Sequence, residues 1–118
     1  MSARGFTLFE LLAVIAIIGI LAAVSIPRFG EFRALAYDSR AEQDLRSLAT
    51  AEELYRAAHS AYTTDLSQLA SFVASEGVVV AVEQADATRF RARAHHPAGA
   101  HIFYWDSAAS PPLSRRPR

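Results

Sequence analysis

Between Phe6 and Ile26 the chain runs for 21 residues interrupted only by Thr7, Glu10, Gly19 and Ser25. As a helix rising ~1.5 Å per residue, that run is about 31 Å long, close to the hydrocarbon thickness of a bilayer, and it predicts a membrane-spanning helix. A short basic leader, Met1 to Arg4, precedes it. Glu10 is the anomaly: a carboxylate at the centre of a spanning helix costs roughly 2.5–3.5 kcal/mol, and such residues are usually functional. Near the end of the span the cost is smaller, but it still demands a reason. A secretory signal has an apolar stretch of only ~7–15 residues followed by a small-residue cleavage site. Ser25-Ile26-Pro27-Arg28 fits that poorly, and a plain signal anchor accounts for neither Glu10 nor the Gly5–Phe6 junction.

The stretch Gly5-Phe6-Thr7-Leu8-Phe9-Glu10-Leu11-Leu12-Ala13-Val14-Ile15-Ala16-Ile17-Ile18-Gly19-Ile20-Leu21-Ala22-Ala23, followed by Ile26-Pro27, resembles the amino terminus of type IV pilins. The match is dense over about 30 residues. The resemblance implies a cleaved leader of residues 1–5, cut after Gly5 by a prepilin peptidase on the cytoplasmic face. It also implies N-methylation of Phe6 and an inner-membrane assembly platform that builds a helical homo-oligomeric filament. In that family the glutamate at the position of Glu10 pairs with the terminal amine of a neighbouring subunit.

Two unit charges ~4 Å apart attract by roughly 4 kcal/mol at an effective dielectric of 20, which exceeds the insertion cost of one carboxylate. A second partner is open to Glu10: it lies four residues from Phe6 and can pair with its own amine along one helix face, where the helix dipole also favours an acid. Arg4 orients the span with the amino terminus inside and the residues beyond Ile26 outside. Pro27 cannot donate its backbone hydrogen bond, and Gly19 weakens the helix by roughly 1 kcal/mol relative to Ala. The resemblance implies that the Gly19–Pro27 segment unwinds in the filament; a static kink is the simpler alternative.

With 118 residues the chain supports one domain, and much of its 52% hydrophobic content lies in the span. The remainder must build a small head with a modest core. Cys is absent, so disulfides and thiolate metal sites are excluded; so is Asn, which removes N-glycosylation and Lys–Asn crosslinks. The twelve basic residues, all Arg, balance twelve acids, and bulk charge steers the chain toward no polyanion.

The long helix is expected over residues 6–60: a transmembrane and filament-core half (6–26), then an amphipathic half. Ala41, Leu45, Leu48, Tyr55, Ala58 and Tyr62 recur near helical period, with Glu42, Asp44, Arg46, Glu53 and Arg56 opposite. A globular head is expected over 61–106. Asp65 and Gln68 resemble a capping box opening a short helix to about Ala74, with Leu66, Leu69, Phe72 and Val73 buried. Three strands follow: Gly77 to Gln84, Thr88 to His95 and His101 to Asp106. The expected fold is α+β, a long helix packed on a three-stranded antiparallel meander as in the pilin fold, with residues 107–118 as a mobile tail.

Arg89, Arg91 and Arg93 share one face of the second strand. That face is solvated, meets a neighbour's acidic helix face, or binds DNA or another polyanion. His95, His96 and His101 make a poor metal site, because adjacent strand residues point to opposite faces and no acid stands at ligand spacing. Asp86 and Asp106 are isolated acids, against the calcium site that major pseudopilins carry. Glu52 and Glu53 read as solvated. No nucleophile–base pair, phosphate loop or cofactor motif argues for an enzyme.

The expected function is a structural subunit of a type IV pilus serving adhesion, twitching motility or DNA uptake. The precursor would lie in the inner membrane among lipid, and the product on the cell surface. A type II secretion pseudopilin or a minor pilin shares the amino terminus. A monomeric membrane-anchored binding module using the Arg stripe is of a different class.

Overall fold

A single helix, α1 (Leu8–His59), carries two kinds of surface. The structure, a computed structural model, describes residues 5–118 without the side chains of Pro27 and Arg28. The leader residues Met1 to Arg4, and the orienting role of Arg4, lie outside these. Two units are compact by themselves, one ending at Phe32 and one comprising Arg33–Arg118. In the first, the large apolar side chains from Phe6 to Ile26 are 47–84% exposed, so nothing in this unit covers them. The helix is long and apolar enough there to cross a membrane. It runs through Gly19 and Pro27 as one element. Pro27 leaves the carbonyl of Ala23 without its usual helical donor, and Ser25 Oγ donates to the Leu21 carbonyl at 2.9 Å.

In the second unit the helix buries one face. Ala41, Leu45 and Leu48 are fully buried, with Ala49 and Ala51 beside them and Tyr55 packed at the margin. They pack with Phe90, Ala92, Ala94 and Phe103 of a sheet. The sheet comprises β1 (Val79–Ala85), β2 (Phe90–His95), β3 (His101–Asp106) and β4 (Leu113–Pro117), antiparallel and in chain order. Alternation along β2 is strict: Phe90, Ala92 and Ala94 are buried while Arg91 and Arg93 are exposed. A bulge between Val82 and Gln84 interrupts β1 opposite β2.

The fold is α+β as expected, but the sheet has four strands, not three. The expected mobile tail, residues 107–118, contains β4, which pairs with β3 from His101↔Pro117 to Trp105↔Leu113. Leu113 packs against the core. The physical reason is the edge: β4 satisfies backbone groups along β3, and as the new edge it carries Arg115, Arg116 and Pro117, which discourage further pairing. The expected helix from Asp65 shrinks to one 3₁₀ turn, Leu66–Gln68. Asp65 does cap it, accepting from Ser67 N–H at 3.0 Å. Leu66, Leu69 and Phe72 turn inward at three-residue spacing, as tight turns require, and Val73 is left 85% exposed.

Three acids lie on the buried face of α1. Asp38 Oδ1 accepts the N–H groups of Ala100 (2.9 Å) and His101 (3.1 Å), and its Oδ2 meets His101 Nδ1 at 2.7 Å. Asp44 accepts from Ser75 N–H at 2.7 Å and from Ser75 Oγ at 2.9 Å. Glu52, fully buried, accepts from Thr63 N–H at 3.0 Å, while its Oε1 has no partner. Asp44 is therefore not on the polar face where the sequence puts it, and Glu52 is not solvated; Ala58, expected inward, is exposed. Each acid fixes a different loop: the β2–β3 connection, the approach to β1, and the chain leaving α1. Hydrogen bonds to a charged group contribute about 1.5–3 kcal/mol each, so these contacts organise a small core.

Burial pushes the Glu52 carboxyl above its ordinary 4.5, against the Thr63 hydrogen bond that pulls it down; the nearby Glu53 charge adds to the rise. A raised folded-state pKa means the unfolded chain binds fewer protons over that interval, so this contribution to stability is present below about 4.5 and lost as pH climbs through the folded value. The Tm difference between Glu52→Gln and wild type, measured on the full chain in detergent, therefore moves in favour of the variant from pH 4.5 to pH 8. A pH-independent difference would show that Glu52 carries no burial penalty.

Ser60 ends the helix in the left-handed region, φ +61°. Its N–H bonds the Arg56 carbonyl at 2.7 Å. An L-residue there is strained, and glycine is the usual solution at this position. Ser60→Gly is expected to stabilise the head by about 0.5–1 kcal/mol, net of the added freedom of the unfolded chain, as read from denaturant midpoints.

Candidate functional site

Thr7 and Glu10 close the amino end of α1 on each other. Glu10 N–H donates to Thr7 Oγ1 at 3.1 Å, and Thr7 N–H donates to Glu10 Oε2 at 3.4 Å. This reciprocal arrangement is a capping box, and it satisfies donors that the first helical turn cannot pair internally. In lipid such donors have no water to turn to, so the carboxylate has a local use. The Thr-x-x-Glu spacing was present in the sequence as its signal.

Gly5, Phe6, Thr7 and Glu10 line one shallow pocket at the amino end of α1. Phe6 is 84% exposed. A Cβ at Gly5 would meet nothing within 4 Å, and the same holds at Gly19. Packing within the described residues therefore does not require glycine at either place.

The expected arginine stripe is divided. Arg89 is not on β2; it sits in the β1–β2 turn, where the Asp86 carboxylate accepts the N–H groups of Thr88 and Arg89, each at 2.8 Å. Those bonds, the one from Thr88 first, hold the Asp86 carboxyl below its ordinary range. The Arg89 guanidinium forms a forked ion pair with Asp106 across both carboxylate oxygens, its Nε at 2.8 Å from Oδ1. That pair lowers the Asp106 pKa. Arg93 pairs with Glu83 at 3.3 Å. Asp86 and Asp106 are thus engaged acids, not isolated ones.

The histidines are dispersed. His96 stacks on Tyr37 with centroids 4.1 Å apart, and its Nδ1 accepts Ala98 N–H at 3.0 Å. His101 holds Asp38. Burial, followed by the charges of Arg118 and Arg93, pushes the His95 pKa down. Among the described residues no group of three or more His, Asp or Glu side chains converges as a metal site.

Sequence comparison agrees with the geometry of the amino-terminal segment. Residues 1–26 match the prokaryotic N-terminal methylation motif. The type IV major pilin protein PilA of Myxococcus xanthus is 52% identical over 52 residues, covering 44% of this chain and 24% of the relative. A fimbrial protein of Pseudomonas aeruginosa is 48% identical over 50 residues, 42% of this chain and 32% of the relative. The type IV wide pilus major component PilA4 of Thermus thermophilus is 43% identical over 70 residues, 59% of this chain and 53% of the relative. The chain thus spans from about a quarter to about half of the length of these curated relatives. With the methylation motif at residues 1–26 and matches to major pilins and fimbrial proteins, the chain is similar to type IV pilins over its amino-terminal part.

Proposed function

We propose that this chain is a structural subunit of a type IV pilus, held in the inner membrane as a precursor and polymerised into a surface filament. The observation that carries this reading is the apolar helix from Phe6 to Ile26, uncovered within its own unit and bearing one carboxylate at its start. Such a surface needs lipid first and sister helices afterwards. The similarity to major pilins supports a pilus subunit over a secretion pseudopilin.

Cleavage after Gly5 by a prepilin peptidase would create an amine at Phe6, methylated in the mature subunit. Glu10 then has two successive partners in this reading. Before assembly its carboxylate caps its own helix through Thr7. On assembly it meets the amine of a neighbour in the filament. The exchange replaces a long hydrogen bond of 3.4 Å from an uncharged backbone N–H with a bond whose donor is also charged. An uncut precursor offers no such amine, so processing precedes polymerisation and the inner-membrane platform receives only mature chains.

Gly19 and Pro27 serve extension in the same reading. The helix is continuous across them, but the Ala23 carbonyl already lacks its helical donor at Pro27, so unwinding there gives up fewer hydrogen bonds.

Glu10→Gln keeps a capping side chain and removes the charge. Cells carrying it are expected to process and insert the subunit normally while sheared filaments fall at least about tenfold, an order set by losing ~1.4 kcal/mol or more per contact. Immunoblots of membrane and sheared fractions read both quantities. Variant filaments at wild-type abundance would overturn the assembly role of Glu10, and absence of the wild-type chain from sheared filaments would favour a monomeric anchored module.

A further inference from the structure

On the outer face of the sheet, beside the β3–β4 loop, lies a groove of about 260 Å³. Tyr104, half-buried, and the prolines Pro111 and Pro112 line it. Arg91 reaches it from β2 and Arg116 from β4, the latter with its guanidinium carbon 5.3 Å from the Tyr104 ring centroid. Two carboxylates also border the groove, but both are committed: Asp106 to Arg89 and Glu83 to Arg93. Among the described residues, Arg91 and Arg116 form no salt bridge at 4 Å or less.

The pairing changes what this face can bind. Three arginines alternating along a strand would suit the repeated charge of a polyanion. With Arg89 and Arg93 taken up internally, the repeat is gone, and two arginines without a salt bridge among the described residues line one hollow. Guanidinium forks match a single carboxylate in geometry as well as charge. The proline rings and Tyr104 offer apolar faces to a compact body. The second oxygen of Glu83 and the Ser114 hydroxyl supply acceptors around it, which suits a ligand rich in hydroxyl donors. The volume lies just under the range for drug-sized ligands, which limits the occupant to about one ring.

We propose that this groove binds a sugar acid, its carboxylate held by Arg91 and Arg116, its ring lying against Tyr104, Pro111 and Pro112, and its hydroxyls donating to the Glu83 carboxylate and the Ser114 hydroxyl. The proposal is independent of filament assembly, since every group in the groove belongs to the head of one chain.

The test is a titration of the ¹⁵N-labelled full chain in detergent micelles at physiological salt, with glucuronate as the probe. Saturable shifts confined to Arg91, Tyr104, Arg116 and the Ala109–Pro112 loop are expected, with glucose giving none. Arg91→Gln or Arg116→Gln should each weaken binding about tenfold or more, as loss of one charge-assisted contact requires. Arg46→Gln, on the exposed surface of α1, should leave it unchanged. Both groove variants alter exposed side chains, and an otherwise retained spectrum confirms folding. Absence of saturable shifts, or equal binding of inorganic phosphate, would overturn the proposal. So would tighter, steeply salt-dependent binding of a short DNA strand, which would restore the polyanion reading.

Discussion

The head depends on carboxylates buried along one face of α1. A small α+β unit without cysteine must hold its loops over the core by some means other than covalent bonds. Asp38, Asp44 and Glu52 do this by accepting backbone N–H groups from segments that are distant in sequence: Ala100 and His101, Ser75, and Thr63. Each contact does the work of a staple, and its worth of about 1.5–3 kcal/mol approaches the 2–4 kcal/mol typical of a disulfide. For Glu52 the difference lies in pH response, because burial raises its carboxyl above the ordinary value whereas a disulfide does not titrate. Glu52 shows the cost, since one of its oxygens is buried without a partner.

One helix serves two incompatible environments, and the change shows in how its side chains are arranged. From Phe6 to Ile26 apolar groups occupy every side, which only a non-aqueous surrounding satisfies. From Asp38 onward burial falls on one stripe, with Arg46, Leu54 and Arg56 left outside. Glu10 belongs to the first environment and is the one acid there; it is tolerable because the helix end gives it two N–H-linked uses, as cap and as N-terminal counter-charge. The head acids belong to the second, where backbone donors and not cations neutralise most of their cost.

Much of this was legible in the sequence, and the misses share a cause. The span, the continuous helix and β1 to β3 follow from periodicity, which is a strong signal where many apolar residues repeat. β4 escaped because Leu113 is its only large apolar residue; what holds it is backbone pairing with β3, which leaves no pattern in side chains. The buried acids escaped because acids are assigned to the outer face by type. Position told otherwise: Asp38, Ala41, Leu45, Leu48 and Glu52 follow one another at spacings of three or four, so both acids lie on the stripe. Arg89 was misplaced because Asp86, by capping the hairpin turn, delays the strand until Phe90. A two-residue shift removed one member of a three-residue stripe.

The same carboxylate network explains how the last strand is secured in a chain without cysteine. Asp38 fixes the N–H groups of Ala100 and His101 to α1. The carbonyl of Ala100 in turn accepts from Arg118 N–H at 2.9 Å, and the Arg118 guanidinium donates to the carbonyls of His96 and Pro97. Helix, β2–β3 loop and the residue after β4 are thereby linked through one peptide unit, whose two polar faces are both used. Gly99 makes the close approach feasible: a Cβ there would lie 2.4 Å from Asp38 Oδ1. A disulfide would cross-link two side chains, whereas here a backbone amide between a buried acid and an arginine performs the closure, and β4 inherits its position from Asp38.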